Sequence, residues 1–298
     1  MSTAPSRETS AAVEVSVVIP FRNAAPHIQD QLEALAQQEF TGTWEVIAVD
    51  NGSSDASRPI ADSFKDRLNL EIVDAVERAG AAWATNVGVR KASGRKLIFI
   101  DADDEVTPGY LSAMAAALDE YDFVISAFDH ETLNPDWVRS AQEDFSRDPE
   151  NPLVDHFGVL PSAGASVGIA RSVFEDVGGF PEDFPRMYDI AMSWEVQFRG
   201  TSLHQVPDAV YRVRHRGTFR DLFRQSVAGA SCAPLLYKRY RTAGMRRRAV
   251  AEVFRSWARL GIQLTKARTK AELAPLVVQL GRELGRLHGS LRHTVFFP

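Results

Sequence analysis

Four acidic side chains, Asp101, Asp103, Asp104 and Glu105, fall within five positions directly after the apolar run Leu97-Ile98-Phe99-Ile100. Two carboxylates about 4 Å apart repel by roughly 1 kcal/mol in water and about 4 kcal/mol at an effective dielectric of 20. Such a cluster is solvated, partly protonated, or closed around a cation. A strand ending in Asp-x-Asp suits a hard divalent ion, Mg2+ or Mn2+, which takes one or two carboxylates and fills its shell with phosphate oxygens and water. The competing reading is a solvated acidic turn that leads into the next helix.

The elements that must position this cluster are legible on either side of it. Val15-Ser-Val-Val-Ile-Pro20, Glu45-Val-Ile-Ala-Val-Asp50, Leu70-Glu-Ile-Val73, Lys96 to Asp101 and Asp122 to Phe128 read as five strands. Between them lie helical stretches: one with Ile28, Leu32 and Leu35 on one face, one from Gly80 to Ala92, and one from Pro108 to Leu118. Strands alternating with helices predict an α/β fold, a mostly parallel sheet flanked by helices. In such sheets ligands bind beyond the carboxyl ends of the strands. Pro20, Asp50-Asn51 and Asp101-Ala102-Asp103 all stand at those ends. Glu131 to Pro161 reads as a long loop with a short helix that borders a site. A further helix is expected from Tyr188 to Phe198. From Phe219 onward the pattern is helical and basic, with breaks expected at Gly244 and Pro275.

Composition narrows the class. The 298 residues are 45% apolar and 24% charged, ordinary for a globular protein with room for one large domain and an appendage. A single cysteine, Cys232, excludes an intramolecular disulfide and a cysteine-rich metal site, and fits a reducing, cytoplasmic compartment. No stretch reaches 18 apolar residues. The net charge of -5 hides an asymmetry: from Arg212 onward there are 19 Lys+Arg and 4 Asp+Glu, leaving 15 and 35 for the part before. The chain divides into a loose tail (1–13), an acidic α/β domain (14–216) and a basic helical region (217–298). That basic region either docks on the acidic domain or meets an anionic membrane as a peripheral contact. Nucleic-acid binding is not expected, because no recognised motif accompanies the charge.

The segments VSVVIPFRN (15–23), WEVIAVDNGSSD (44–55), AGAAWATNVG (79–88), SGRKLIFIDADD (93–104) and GGFPEDFP (178–185) occur in an order and spacing that resemble a family 2 glycosyltransferase with the GT-A fold. The resemblance implies inverting transfer of a sugar from a nucleotide-diphosphate sugar to an acceptor hydroxyl; the acceptor itself stays open, with lipid-linked and polysaccharide acceptors as the candidates. It implies that Pro20, with Phe21 and Asn23, and the pair Asp50-Asn51 hold the base and ribose. The family often has Asp where Asn51 stands, so the base, uridine, thymidine or guanosine, stays open. Thr85 stands where members carry an Arg, and Arg78 is the candidate substitute. Asp101, followed by Ala102, matches the first Asp of the DxD motif, directed toward ribose and ion. Asp103 matches the second, the main metal ligand, and Asp104 is an outer-sphere candidate. His215, in Val213-Arg-His-Arg216, matches a His that joins the ion. Asp189 matches the general base, with Tyr188 and Ala191 at positions where the family carries further acids; Glu182 and Asp183 are fallback bases. Trp83 and Trp194 either stack on sugars or belong to the core.

Other readings remain at this level. A nucleotidyltransferase would use the same ion but wants a Gly-rich basic loop after the first strand, and Phe21-Arg22-Asn23-Ala24-Ala25 is poor in Gly. A phosphatase using Asp-x-Asp wants Thr or Val where Glu105 stands. A catalytically inactive nucleotide-sugar-binding protein is conceivable from Tyr188 and Ala191. The Gln225-Ser-Val-Ala-Gly segment lacks the Gln-x-x-Arg-Trp of processive members, which disfavours a polymerase.

Overall fold

The computed structural model describes residues 12–141, 155–162 and 164–298. The first hundred residues alternate as β1 (Val15–Phe21), α1 (Ile28–Ala36), β2 (Trp44–Asp50), α2 (Ser57–Asp62), β3 (Leu70–Asp74), α3 (Ala81–Lys91) and β4 (Lys96–Ile100). There follow β5 (Glu105–Val106), α4 (Tyr110–Glu120), β6 (Phe123–Asp129) and the short α5 (Asp136–Arg139). A hairpin of β7 (Asp155–His156) and β8 (Leu160–Pro161) precedes β9 (Ser166–Ala170), α6 (Arg171–Asp176), α7 (Tyr188–Phe198) and β10 (His204–Arg212). The remainder is helical: α8 (Phe219–Ala230), α9 (Ala233–Tyr240), α10 (Val250–Lys266) and α11 (Lys270–Arg292). Most of the tail expected over 1–13, and the centre of the loop expected between Glu131 and Pro161, lie outside the described residues.

The main sheet has the order β3-β2-β1-β4-β9-β6-β10-β5. β1 pairs in parallel with β2 and β4, β2 with β3, and β10 with β6. β9 runs antiparallel to both of its neighbours, β4 and β6, and β5 antiparallel to β10. The sheet is therefore mixed rather than uniformly parallel. The apolar runs are buried on both faces, as a helix-covered sheet requires. Val15, Val17, Ile19 and Phe21 pack with Leu32 and Leu35 of α1 and Met114 of α4. Val18, Ile47 and Val49 pack on the other face with Ala82, Ala84 and Val89 of α3. Lys96 opens β4 almost fully buried, and its Nζ is matched by Glu14 and Asp119, each at 2.7 Å, and by the Ala115 carbonyl at 2.8 Å.

The C-terminal helices dock on the α/β domain. Ala233, Leu236 and Tyr240 of α9 share an apolar cluster with Ile190, Ala191 and Trp194 of α7. Trp194 is wholly buried there, its Nε1 donating to the Leu160 carbonyl at 2.9 Å, so it is core and not a sugar platform. The chain breaks at Gly244, as expected. The break expected at Pro275 does not occur: α11 runs through it. A proline inside a helix leaves the carbonyl four residues earlier without its amide partner. That carbonyl belongs to Ala271, and it accepts from the Ser140 hydroxyl at 2.7 Å, which removes much of the penalty. α11 lies close against α8 because Gly281, Gly285 and Gly289 fall at four-residue spacing on the contact face. A Cβ at Gly285 would stand 2.6 Å from the Val227 carbonyl oxygen, and one at Gly281 would stand 2.9 Å from that of Phe223.

Candidate active site

The carboxyl ends of β1, β2 and β4 form one rim, and the loop after β4 carries the acidic cluster. Ligand atoms of Asp101, Asp103 and Asp104 all lie within 4.8 Å of one another. Gln31 of α1, fully buried, clamps both ends of this loop: its Nε2 donates to the Asp101 carbonyl and its Oε1 accepts from the Val106 amide, each at 3.0 Å. Tyr211 of β10 adds a third tie, its hydroxyl accepting from the Asp101 amide at 2.9 Å. Neither residue stands out as functional in the sequence. A signal for Gln31 exists, since it falls on the same helical face as Ile28, Leu32 and Leu35, where a polar residue needs buried partners.

Electrostatics distinguish the three carboxylates. Burial, and then the neighbouring Asp104, Asp103 and Asp189, push the Asp101 pKa well above the usual carboxylate range. Burial, and then Asp103, raise Asp104 to about 7, against the pull of the Arg214 amide, which donates to Asp104 Oδ1 at 2.6 Å. Asp103 forms an ion pair with the half-exposed Arg216 at 3.0 Å. Three hard oxygen donors whose negative charge is under-compensated by the described cations are a set that fits Mg2+ or Mn2+. His215 stands apart from this trio. Its Nε2 is 3.0 Å from His130 Nδ1, the two rings are stacked, and its amide donates to Asn134 Oδ1. Burial, then His130 and Arg216, lower its pKa to about 4, leaving a neutral imidazole.

Two adjoining cavities share Asp101, Ala165, Arg186 and Met187. The smaller, of about 200 Å³, is lined by Pro20, Thr85, Asp101, Arg186, Tyr188 and Asp189 among others. The larger, of about 690 Å³, holds Asp101, Asp103, Asp104, Arg214, His215 and Arg216 on its wall together with residues of α8 and α11. The structure thus brings Pro20, Asp101 and Asp189 to one cavity, and the metal candidates Asp103 and His215 to the next.

Asp189 occupies the first turn of α7, after Met187 in left-handed backbone (φ 61°). It is not the N-cap, which is Met187, and burial raises its pKa against the pull of the backbone amides at 189 and 190. The fallback bases are already engaged. Glu182 pairs with Arg78 at 2.5 Å and accepts from Asn86 Nδ2, and Asp183 pairs with Arg239.

The base-binding candidates are tied to neighbouring segments of the protein. Both Nδ2 hydrogens of Asn51 go to backbone carbonyls, those of Ala75 (2.5 Å) and Arg78 (2.7 Å), and its Oδ1 accepts from the Gly80 amide. Asn51 thereby shapes the loop between β3 and α3. Asp50, buried, accepts from the Ser53 amide and faces Arg58. Phe21 accepts the Asn51 amide at its carbonyl, and Asn23, in left-handed backbone, ties to Ser53 and Ser54. These contacts strap the β1 and β2 ends together beside Pro20. The guanidinium of Arg78 lies over the Trp83 ring as well as on Glu182. Ala102 is buried beneath the acidic loop. Asn86 of α3 holds the turn before α7, donating to the Phe180 carbonyl at 2.9 Å and accepting its amide at 3.0 Å.

A mixed α/β sheet with a carboxylate cluster at the end of its fourth strand, facing paired cavities, defines a protein of the GT-A type. A sequence profile described as glycosyl transferase family 2 matches residues 16–178, and the chain belongs to that family of glycosyl-transferring enzymes. Glycosyltransferase AglE of Haloferax volcanii is 28% identical over 206 residues, covering 68% of this chain and 67% of AglE. Poly(ribitol-phosphate) beta-N-acetylglucosaminyltransferase TarS of Staphylococcus aureus is 32% identical over 111 residues, 37% of this chain and 19% of TarS, so the match spans about a fifth of that relative's length. Among solved structures, mannosyltransferase PcManGT of Pyrobaculum calidifontis in complex with GDP-Man and Mn2+ matches with a TM-score of 0.61 at 19% identity, over 96% of this chain and 90% of that one. The S. aureus TarS 1-349 complex with UDP-GlcNAc matches with a TM-score of 0.57 at 17% identity, over 96% and 93%. These likenesses share the fold.

Proposed function

We propose that the protein moves a sugar from a nucleotide-diphosphate sugar to an acceptor hydroxyl with inversion, and that it works with Mg2+ or Mn2+. The observation that carries this reading is the convergence of Pro20, Asp101 and Asp189 on one cavity that opens into the acidic cluster. Asp103 holds the ion, with Asp101 beside it and the neutral His215 available from the wall of the same cavity. When bound, the ion supplies Lewis-acid neutralisation of the charge that grows on the departing nucleoside diphosphate. Arg216 leaves Asp103 to meet the diphosphate, since its half-exposed side chain is free to swing. Pro20 and the strapped ends of β1 and β2, with Phe21, Asn23, Asp50 and Asn51, form the floor for the nucleoside. Asp189 takes the proton from the acceptor hydroxyl as its oxygen attacks the anomeric carbon. Its raised pKa makes it a stronger base once ionised.

The bound GDP-Man and Mn2+ of PcManGT and the UDP-GlcNAc of TarS support a nucleotide-sugar donor here. A thermal-shift screen of UDP, GDP and dTDP, with and without Mn2+, tests it. One nucleotide should raise the melting temperature by several degrees, in an ion-dependent way. No shift with any of them removes the donor reading. Binding without sugar transfer to any acceptor, or to water, turns the reading into the inactive binding protein.

Among the described residues no helix is long and apolar enough to cross a membrane. α10 nevertheless leaves Val250, Phe254 and Ile262 exposed, Phe254 at 72%, with Arg255, Arg259 and Lys266 on the same helix. Basic residues beside exposed apolar ones support peripheral contact with an anionic membrane surface, as on the inner face of a cell membrane. The protein should sediment with phosphatidylglycerol vesicles at low salt, and Phe254→Asp should weaken that binding about tenfold. Equal sedimentation of the variant would remove α10 from the contact.

A further inference from the structure

We propose that Arg214 is a positioning residue of the ion site: its side chain fixes the middle of the acidic loop so that the Asp101, Asp103 and Asp104 carboxylates converge. This rests on the reading of that cluster as the seat of Mg2+ or Mn2+. Gln31 clamps the two ends of the loop, and Arg214 reaches what lies between. Its amide donates to Asp104 Oδ1 at 2.6 Å, and its Nε donates to the Asp103 carbonyl at 3.0 Å. Its Nη2 donates to Glu105 Oε1 at 2.8 Å and to Asp30 Oδ2 at 3.1 Å. One residue thus holds three consecutive loop residues. It also ties them to α1, the helix that carries both Asp30 and Gln31. A planar guanidinium suits this work, because its donors are fixed in direction.

The charges near this guanidinium are matched within the protein. Glu105 and Asp30 both answer it, and Arg212 stands farther from Glu105, at 3.9 Å. Arg214 is therefore committed to the loop rather than offered to an anionic substrate.

The segment that carries Arg214 is held from its other side. The Val213 amide donates to the Asp129 carbonyl at 2.9 Å, and the Val213 carbonyl accepts from Asn134 Nδ2 at 2.6 Å. The His215 amide donates to Asn134 Oδ1 at 2.8 Å, and Asn134 is buried. Residues 213 and 215 thus bind the turn after β6, and residues 214 and 216 bind the acidic loop, the alternation of an extended chain. Arg216 differs from Arg214 in what it touches. It pairs with the Asp103 carboxylate itself, at 3.0 Å, and its side chain is 46% exposed against 21% for Arg214. The Arg214 amide survives any substitution there, so a side-chain change removes only the ties to Asp103, Glu105 and Asp30.

Two effects of removing Arg214 have opposite signs. A cation beside an ion site repels the ion, so by charge alone its removal tightens Mn2+ binding. Loss of a group that aims the ligands weakens binding, by about ten- to a hundredfold for outer-sphere partners. The sign of the change separates positioning from charge.

The test measures Mn2+ affinity of the full chain by calorimetry, without nucleotide. Arg214→Gln should weaken it by about tenfold or more. Arg214→Lys, which keeps the charge and loses the fork, should weaken it by several-fold and covers the case in which the Gln variant does not fold. Arg216→Gln should leave it equal or tighter. Hydrogen exchange over residues 101–106 of the ion-free protein supplies a second measurement. Arg214→Gln should speed that exchange by about tenfold, with the amides of β4 unchanged. Equal or tighter Mn2+ binding by the Arg214 variants overturns the proposal, even with faster exchange, because the side chain then serves stability alone. Equal weakening in Arg216→Gln overturns it too, since the loss is then not specific to the loop clamp. Failure of the wild type to bind Mn2+ overturns the ion reading of the cluster instead. The exchange comparison then still decides whether Arg214 holds the loop, and unchanged exchange shows that it does not.

Discussion

Replacing Asp189 by Asn lowers turnover by about a hundredfold or more, the scale on which a general base acts. Affinity for the nucleoside diphosphate, measured by calorimetry with Mn2+, stays within about twofold. The separation follows from position. Asp189 reaches the cavity from the first turn of α7, whereas the proposed nucleoside floor lies at the β1 and β2 ends. Asparagine keeps the shape, so the helix start survives. What disappears is the carboxylate proposed to receive the acceptor proton. Glu182 and Asp183 are poor substitutes because Arg78 and Arg239 already hold them. Glu182→Gln and Asp183→Asn therefore retain most of the activity. Loss of turnover in either of those, with Asp189→Asn nearly normal, would transfer the role.

Binding of Mn2+ should strengthen with pH and release protons. In the ion-free protein Asp104 is raised to about 7 and Asp101 lies well above its ordinary value. The native state then holds protons that the unfolded chain gives up above about pH 4, so stability of the ion-free protein falls as pH rises from about 4 to about 7. The ion needs those carboxylates ionised and competes with the protons. Between about pH 7.5 and about pH 5.5 the affinity for Mn2+ should drop by about tenfold or more, since each pH unit below a competing pKa is worth about 1.4 kcal/mol. Calorimetry in two buffers of different ionisation enthalpy reads the released protons directly. Removing the ion with a chelator should abolish transfer. A pH-independent affinity, or transfer that persists in chelator, would separate the acidic cluster from the chemistry.

The strand ends and the acidic loop were legible because their signals are local. A run such as Leu97 to Ile100 declares a buried strand, and four acids in five positions declare a site. The helix carrying Asp189 was legible for the same reason, with Ile190, Trp194 and Phe198 at four-residue spacing. What sequence did not disclose depends on partners far along the chain. Asn51 reads as half of a tight turn, but its amide is committed to carbonyls 24 and 27 residues away. Pro275 reads as a helix break, and the carbonyl it leaves without an amide partner, that of Ala271, is met by Ser140, 131 residues distant. β9 is short and contains Gly168, so no strand period stands out; its antiparallel direction is fixed by β4 and β6 on either side.

The place of β9 has a consequence for how the molecule is made. It fills the slot between β4 and β6, yet it is translated more than sixty residues after β4. Until it arrives, the strand that bears the acidic loop has one row of backbone amides and carbonyls with no mate, and a bare edge of this kind invites other chains. Assembly of the reactive centre thus waits on a distant segment, and pairings of such long sequence separation are slow to form. A nascent chain emerging from the ribosome passes through an interval in which this buried strand is half-covered, and that interval is where a chaperone would have most to do.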